Sequence, residues 1–170
     1  MKVSSKWDEV SRAIHSMLAG RPLGSGSGSW YSYQGAHMRV GELMITDLKT
    51  VEPSATVADA AASLTENHVS ALPVVDTHGR IIGVLSTSDI LQAAAEAADA
   101  EERDRLFEET IVRDLMTVRP ATIGMDADVK EAAQQMLYLE VHRLFVVDGE
   151  RLVGVLSQSD IVRAVATAKM

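Results

Sequence analysis

Residues 81–90 read IIGVLSTSDI, and residues 152–161 read LVGVLSQSDI. Just upstream of each block, VSALPVVD (residues 69–76) aligns with VHRLFVVD (residues 141–148), and the turn that follows is one residue shorter in the second copy. Similarity of one segment to a later segment of the same chain identifies an internal repeat. The chain therefore contains two copies of one structural unit.

The repeat sets the predicted domain organisation. The first copy spans residues 39–98 and the second spans residues 112–170. The sequence between them is rich in Ala, Glu and Arg, which favour helices. Residues 99–111 are therefore predicted to form a helical connector whose acidic side chains face solvent.

Each copy predicts the same order of secondary structure, β-α-β-β-α, and hence an α/β fold. The first helix is predicted to be capped by Thr56 in one copy and by Asp128 in the other. Two short strands joined by a tight turn, at Gly79 or Gly149, lead to a last helix that begins near Asp89 or its equivalent. The strands are apolar at nearly every position, so both faces of each sheet are predicted to be covered.

Residues 1–38 differ from the repeats. Apolar residues at helical spacing predict an N-terminal amphipathic helix, and residues 23–29 read as a flexible Gly/Ser-rich linker. The string Gly-Ala-His-Met at residues 35–38 is typical of a cloning scar. This part of the chain is therefore either engineered or a natural arm that packs on the repeats or on a second subunit.

Composition excludes several classes of partner and site. The 170 residues carry 16 Lys and Arg against 24 Asp and Glu, and the net charge of −8 disfavours nucleic acid and membrane surfaces as partners. There is no Cys, which excludes disulfides, Cys-ligated zinc and thiol nucleophiles. The chain has no signal-peptide run and no apolar stretch long enough to span a bilayer, so the expected location is the cytoplasm.

The repeated block ends in two hydroxyls followed by a carboxylate at the start of a helix. Backbone N–H groups at a helix N-terminus attract anions, hydroxyls donate to phosphate oxygens, and a carboxylate accepts from the two hydroxyls of a ribose. This combination suits a nucleotide. Ser and Asp before a helix are also ordinary capping residues, and this alternative remains open.

The second copy carries His142 and Arg143 just before a strand, where the first copy has Ser70 and Ala71. A guanidinium binds phosphate through paired N–H donors, and an imidazole near the anion can add another. The two potential sites are thus predicted to differ in phosphate affinity. The alternatives are a surface ion pair between Arg143 and Glu140, and a histidine that simply packs.

Signatures of catalysis are missing from the sequence. It contains no dinucleotide-binding, P-loop, zincin or nucleophile-elbow motif, and its five His residues lack metal-ligand spacing. Asp89 and Asp160 occupy equivalent places in separate copies, as expected of two binding sites. We predict a protein that is not an enzyme and requires neither a metal nor a cofactor.

The two copies resemble CBS (cystathionine β-synthase) motifs, which pair into a Bateman module. The resemblance covers about residues 40–168, with the Gly-hydrophobic-x-Ser-x-x-Asp pattern present twice, and extends to the gamma subunit of AMP-activated protein kinase and bacterial stand-alone CBS proteins. It implies two repeats related by pseudo-twofold symmetry and two clefts that bind AMP, ADP, ATP or S-adenosylmethionine. It also implies a homodimer formed through the helices.

Carried over by position, the resemblance gives each cleft a carboxylate for ribose, Ser hydroxyls near phosphate and a Val beside adenine. The first cleft would consist of Asp160, Ser157, Ser159 and Val155, completed by Val69, Ser70 and Met44 from the first copy. The second cleft would consist of Asp89, Ser86, Ser88 and Val84, with His142 and Arg143 reaching across from the second copy to hold phosphate.

These observations predict a regulatory module that binds an adenine nucleotide, AMP first among them, and signals by conformational change to an unknown regulated protein. One alternative is S-adenosylmethionine as the ligand. Another is an interaction or oligomerisation module whose clefts stay empty, which the aromatic N-terminal arm favours. Binding of single-stranded nucleic acid by that arm is disfavoured by the negative net charge.

Overall fold

The computed structural model describes residues 38–167, and the predicted N-terminal helix and linker lie outside them. The first half contains α1 (Val40–Leu43), α2 (Val57–Glu66), β1 (Ala71–Val75), β2 (Ile81–Ser86) and α3 (Thr87–Glu96). After α4 (Ala100–Glu108), the second half contains α5 (Val112–Leu115), β3 (Thr117–Val118), β4 (Thr122–Gly124), α6 (Val129–Tyr138), β5 (Arg143–Asp148), β6 (Arg151–Ser157) and α7 (Gln158–Thr167). The predicted α/β fold of two similar units is confirmed.

The predicted caps start the second helix of each half. The hydroxyl of Thr56 accepts a hydrogen bond from the backbone N–H of Asp59 at 3.1 Å, and the carboxylate of Asp128 accepts one from the N–H of Lys130 at 2.7 Å. Each bond satisfies a backbone donor that the first helical turn leaves without a partner. The last helix of the first half begins at Thr87, two residues before the expected Asp89, because Ser86 caps it.

The described residues form two three-stranded sheets, and each contains or contacts a segment from the opposite half. β1 pairs antiparallel with β2, and β2 pairs with β3, which lies in the second half of the sequence. In the other sheet, β5 pairs parallel with β4 and antiparallel with β6, and β6 is bridged by Ile45 from the first half. The segment leading into each half therefore pairs with the second hairpin strand of the other half.

The hydrophobic cores show the same exchange. Val112, at the start of the second half, is fully buried in the core that contains Leu72 and Leu85 of the first half. Val40 is fully buried against Leu144 and Leu156 of the second half. Neither half can complete its own core, so burial of apolar surface holds the two halves together.

The hairpin ends are fixed by glycines and an ion pair. Gly79 and Gly149 have φ angles of +76° and +61°, which residues with a Cβ rarely adopt, as the predicted tight turns require. In the first hairpin, the Arg80 guanidinium lies 2.7 Å from the Asp76 carboxylate, and it also lies 3.5 Å from Glu150 in the second hairpin. Among residues 38–167, no helix has the length and apolar character needed to cross a bilayer.

Candidate functional site

In the first half, Asp89 and Ser86 bond to each other at the start of α3. The Asp89 carboxylate accepts hydrogen bonds from the backbone N–H of Ser86 at 2.8 Å and from the Ser86 hydroxyl at 2.6 Å, both through Oδ2. The Ser86 oxygen in turn accepts the N–H of Asp89 at 3.3 Å. This reciprocal arrangement is a capping box. Capping uses Oδ2 of the Asp89 carboxylate and leaves Oδ1 for a ligand.

Ser157 and Asp160 repeat this arrangement in the second half. The backbone N–H of Ser157 donates to Asp160 Oδ2 at 2.9 Å, and the Ser157 hydroxyl donates to the same oxygen. Two differences distinguish the copies. Asp160 is buried whereas Asp89 is half-buried, and Asp160 Oδ1 lies 3.7 Å from the guanidinium of Arg163.

The remaining predicted hydroxyls lie in the first turn of the same two helices. Ser88 and Ser159 are exposed, each one residue before the capping carboxylate. In the part of the chain that the structure describes, neither hydroxyl makes a side-chain hydrogen bond. They are thus freer to donate to a phosphate than Ser86 and Ser157, whose hydroxyl protons are directed at the carboxylates.

The segments before the strands meet the helix starts in both halves. The carbonyl of Ser70 accepts the N–H of Thr87, the first residue of α3, at 3.0 Å. The carbonyl of His142 accepts the N–H of Gln158, the first residue of α7, at 3.0 Å. These equivalent bonds place Ser70 beside the capping box of Asp89, and His142 beside that of Asp160.

Arg143 links the two halves at this point. Its Nη2 lies 3.4 Å from the Ser70 hydroxyl, a long hydrogen bond between residues 73 positions apart. Among residues 38–167 no carboxylate lies within 4.0 Å of the exposed Arg143 guanidinium, and the ion pair with Glu140 does not form. The guanidinium therefore reaches from the second half toward the N-terminus of α3, where Asp89 lies.

Gln158, which the sequence did not single out, orients His142. The His142 Nδ1 lies 3.4 Å from Gln158 Oε1, while Gln158 Nε2 donates to the carbonyl of Val141 at 3.2 Å. Gln158 is the equivalent of Thr87, and this comparison of the two copies is the signal that would have identified it. His142 is exposed.

The predicted adenine contacts occupy equivalent positions on β2 and β6. Val84 and Val155 are half-buried, and they alternate with the fully buried Leu85 and Leu156. Successive side chains of a strand point to opposite faces, so both Val side chains face away from the core of their own half. Val69, just before β1, is 36% exposed.

Among the predicted site residues, Met44 has a side chain that packs in the protein interior. It lies against the core of the second half, with its sulfur over Gly154. Its backbone N–H donates to the carbonyl of Val40 at 2.9 Å. Any part that Met44 has in a cleft therefore depends on its backbone carbonyl or on the edge of this packed side chain.

A cavity of about 260 Å³ lies near the hairpin ends, and none of the predicted nucleotide-binding residues lines it. It runs along the segment between α1 and α2, which contributes Thr46, Leu48 and Thr50. Arg151 and Leu152 of β6 form another wall. Among residues 38–167, no three His, Asp or Glu side chains cluster as metal ligands.

Comparison with known proteins matches these features to one family. The sequence profile described as "CBS domain" matches residues 40–96 and 112–167. CBSX1, a chloroplastic CBS domain-containing protein of Arabidopsis thaliana, is 29% identical over 153 residues, which cover 76% of this chain and 65% of CBSX1. YhcV of Bacillus subtilis, another CBS domain-containing protein, is 29% identical over 123 residues, covering 72% of this chain and 81% of YhcV.

Solved structures of CBS-pair proteins resemble this chain as well. The crystal structure of Arabidopsis CBSX2 in complex with AMP superposes with a TM-score of 0.65 at 34% identity, covering 78% of this chain and 98% of CBSX2. The chain thus spans somewhat less than two thirds of the full CBSX1 sequence and nearly all of the solved CBSX2 chain. With both repeats matched, this chain belongs to the CBS domain family.

Proposed function

We propose that this CBS pair is a non-enzymatic regulatory module that binds an adenine nucleotide, AMP in the first place, in the clefts between its repeats. The observation that carries the proposal is Arg143, a guanidinium without a carboxylate partner among the described residues, which reaches across to Ser70 beside the helix start of Asp89. An unpaired cation beside a helix N-terminus favours a phosphate there.

The carboxylates are assigned to ribose. In each capping box Oδ2 serves the helix, and Oδ1 of Asp89 is free to accept from ribose hydroxyls. In Asp160 the same oxygen lies 3.7 Å from Arg163, which competes with a sugar. We therefore expect the Asp89 cleft to bind its ligand more tightly than the Asp160 cleft.

The phosphate is assigned to groups that can donate without breaking a cap. In the Asp89 cleft these are Arg143, the exposed hydroxyl of Ser88 and the hydroxyl of Ser70, whose carbonyl bonds the start of α3. In the Asp160 cleft they are Ser159 and His142, whose carbonyl bonds the start of α7. Ser70 and His142 thus exchange clefts relative to the assignment that the family resemblance implies. Ser86 and Ser157 are assigned near the phosphate as well, but their main contribution is to hold the carboxylates through the capping boxes.

The base is assigned to the apolar edges of the clefts. Val84 and Val155 face away from their own cores, and the partly exposed Val69 adds apolar surface before β1. Met44 contributes at most the edge of its packed side chain to the Asp160 cleft. A flat adenine ring gains from such surfaces through burial of apolar area.

AMP is the first candidate because CBSX2, 34% identical, has been crystallised with AMP. A protein named MJ0100 has been crystallised with 5'-methylthioadenosine and S-adenosyl-L-methionine, and its 24% identity to this chain supports the fold alone. S-Adenosylmethionine has a cationic sulfonium next to the ribose, where AMP has its phosphate, and a guanidinium at that place would repel it. The guanidinium therefore favours AMP over S-adenosylmethionine.

Isothermal titration calorimetry with AMP, adenosine, ADP, ATP and S-adenosylmethionine tests the proposal. Wild type should bind AMP more tightly than adenosine by about 10- to 100-fold, because a charge-assisted hydrogen bond contributes about 1.5–3 kcal/mol. Arg143→Ala should lower the preference for AMP, whereas Arg103→Ala, on the exposed face of α4, should not. Equal affinity for AMP and adenosine would contradict the role of Arg143, and no binding of any ligand would favour a module with empty clefts.

Regulation would require only a small coupling between the clefts and a partner. A change of 1–3 kcal/mol between two states is typical of allosteric coupling. Because the two halves share both cores, a ligand that draws Arg143 and Ser70 together would act on the whole pair. We extend the proposal to a homodimer formed through the helices, where Leu91 of α3 is 71% exposed.

A further inference from the structure

The cavity near the hairpin ends is open to solvent and exposes more polar than apolar surface, although apolar side chains form part of its wall. Leu48, Val75 and Leu152 supply the apolar surface, and Thr46 and Thr50 supply hydroxyls. Small-molecule sites use a few convergent polar groups to orient a ligand, and the two hydroxyls and the side chain of Arg151 are such groups here. The 260 Å³ correspond to the liquid volume of about nine water molecules, so the cavity suits a small organic molecule.

Arg151 is held at the edge of this cavity by the first hairpin. Its Cγ and Nε each lie 3.6 Å from the point that a Cβ on Gly79 would occupy, so its stem lies along the glycine. The neighbouring N–H of Leu152 donates to the carbonyl of Gly79 at 3.0 Å and fixes the two hairpins together. Arg151 is exposed, and the packing of its stem on Gly79 keeps the side chain at the edge of the cavity that it lines.

The two copies differ in how they use this arginine. Arg80 occupies the equivalent position in the first copy and is neutralised by Asp76 at 2.7 Å and Glu150 at 3.5 Å. Within residues 38–167 no carboxylate lies within 4.0 Å of Arg151, although Asp148 is the counterpart of Asp76. The same position thus carries a paired cation in one hairpin and an unpaired cation beside a cavity in the other.

We propose that this cavity is a separate binding site for a small organic anion, with its carboxylate or phosphate on Arg151 and its apolar body against Leu48, Val75 and Leu152. A guanidinium binds either group through paired N–H donors. Thr46 and Thr50 can donate to the remaining oxygens. The site is independent of the nucleotide assignment, because no residue of the proposed clefts lines the cavity.

NMR titration of the full 18.3 kDa chain tests this site with three probes. Benzoate carries both an anionic group and an apolar ring. Benzyl alcohol carries the ring without the charge, and inorganic phosphate carries the charge without a ring. Benzoate should shift the backbone amides of Thr46, Thr50, Gly79 and Leu152, and should bind about tenfold more tightly than benzyl alcohol. Phenyl phosphate, compared with benzoate, then distinguishes a phosphate ligand from a carboxylate ligand.

Matched variants make the outcome decisive. Arg151→Gln should weaken benzoate binding about tenfold, while Arg103→Gln should leave it unchanged. Asp160→Ala should also leave benzoate binding unchanged, which separates this site from the nucleotide clefts. The proposal is overturned if the shifts lie elsewhere, if benzyl alcohol binds as well as benzoate, if Arg151→Gln has no effect, or if no probe binds.

Discussion

Met44 Sδ lies 2.6 Å from the point that a Cβ on Gly154 would occupy, and its Cγ lies 3.0 Å from that point. Met116 stands in the same way over Gly83 in the other half. The glycine that recurs in both copies therefore admits a Met side chain from the opposite half. This contact explains why the repeated pattern needs a residue without a Cβ inside a strand.

Gly154→Ala should destabilise the fold. The added methyl would collide with Met44 and would lie 3.1 Å from the carbonyl of Ile45, so the two halves would have to move apart. Overpacking of this kind costs about 2 kcal/mol, which chemical denaturation measures. Gly124→Ala is the matched control, since a Cβ there would meet nothing within 4 Å, and it should change stability by less than about 0.5 kcal/mol.

A double-mutant cycle tests the contact itself. Met44→Ala removes the side chain that the new methyl would meet, so Met44→Ala with Gly154→Ala should cost less than the sum of the single changes. If the stability costs of the two single changes simply add, then the lack of a Cβ at Gly154 does not serve to accommodate Met44.

The sequence predicted the elements of each half but not their exchange. The caps Thr56 and Asp128 and the turns at Gly79 and Gly149 followed from local rules of helix and hairpin chemistry. Comparing two copies shows which residues are equivalent, and it does not show which residues touch. The packing of Val112 in the first core is a long-range contact that no local pattern in the sequence predicts.

Ser86→Ala should destabilise α3 while retaining the carboxylate of Asp89. It removes a hydroxyl that both accepts the N–H of Asp89 and donates to its Oδ2. Loss of an N-cap hydroxyl costs about 1 kcal/mol. Denaturation by urea should show this loss, with Ser88→Ala as the control, and an equal effect of the two changes would contradict the capping role of Ser86.

The Asp76 carboxylate gives a pH-dependent contribution to stability. The backbone N–H of Arg80, its guanidinium and the N–H of His78 lower the pKa of Asp76 from 3.8 to about 2. A carboxyl with a lowered pKa stabilises the fold fully above its unfolded pKa, and this stabilisation is lost as the pH falls through the folded pKa. The difference in melting temperature between wild type and Asp76→Asn should therefore be constant above about pH 5 and shrink between about pH 4 and 2. A difference that does not change with pH would refute this.

The helix surface predicts the oligomeric state. Leu91 is 71% exposed on α3, and if the helices form the dimer interface then a charge there should disrupt it. Light scattering should give a dimer for wild type, and Leu91→Glu should shift it to monomer. The adjacent exposed position provides the control, Gln92→Glu. A monomeric wild type, or a dimer that survives Leu91→Glu, would reject this interface.

The candidate site was predictable in part. Repetition made Asp89 and Asp160 candidates for a binding site, and the contrast with Ala71 in the first copy made Arg143 one. The sequence could not decide between capping and binding, because Ser and Asp before a helix are suited to both tasks. The hydrogen bonds of the folded chain show that capping uses one carboxylate oxygen. The Arg151 cavity escaped prediction because it forms from segments of both halves that are distant in sequence.

The most direct test follows the Arg143 side-chain Nε–H and the amides of Thr87 and Ser88 by NMR during titration with AMP and, separately, with adenosine. If the guanidinium and the start of α3 hold a phosphate, AMP should shift all three signals and adenosine should leave the Arg143 signal in place. Identical shifts with both ligands, or none with AMP, would contradict nucleotide binding at this junction.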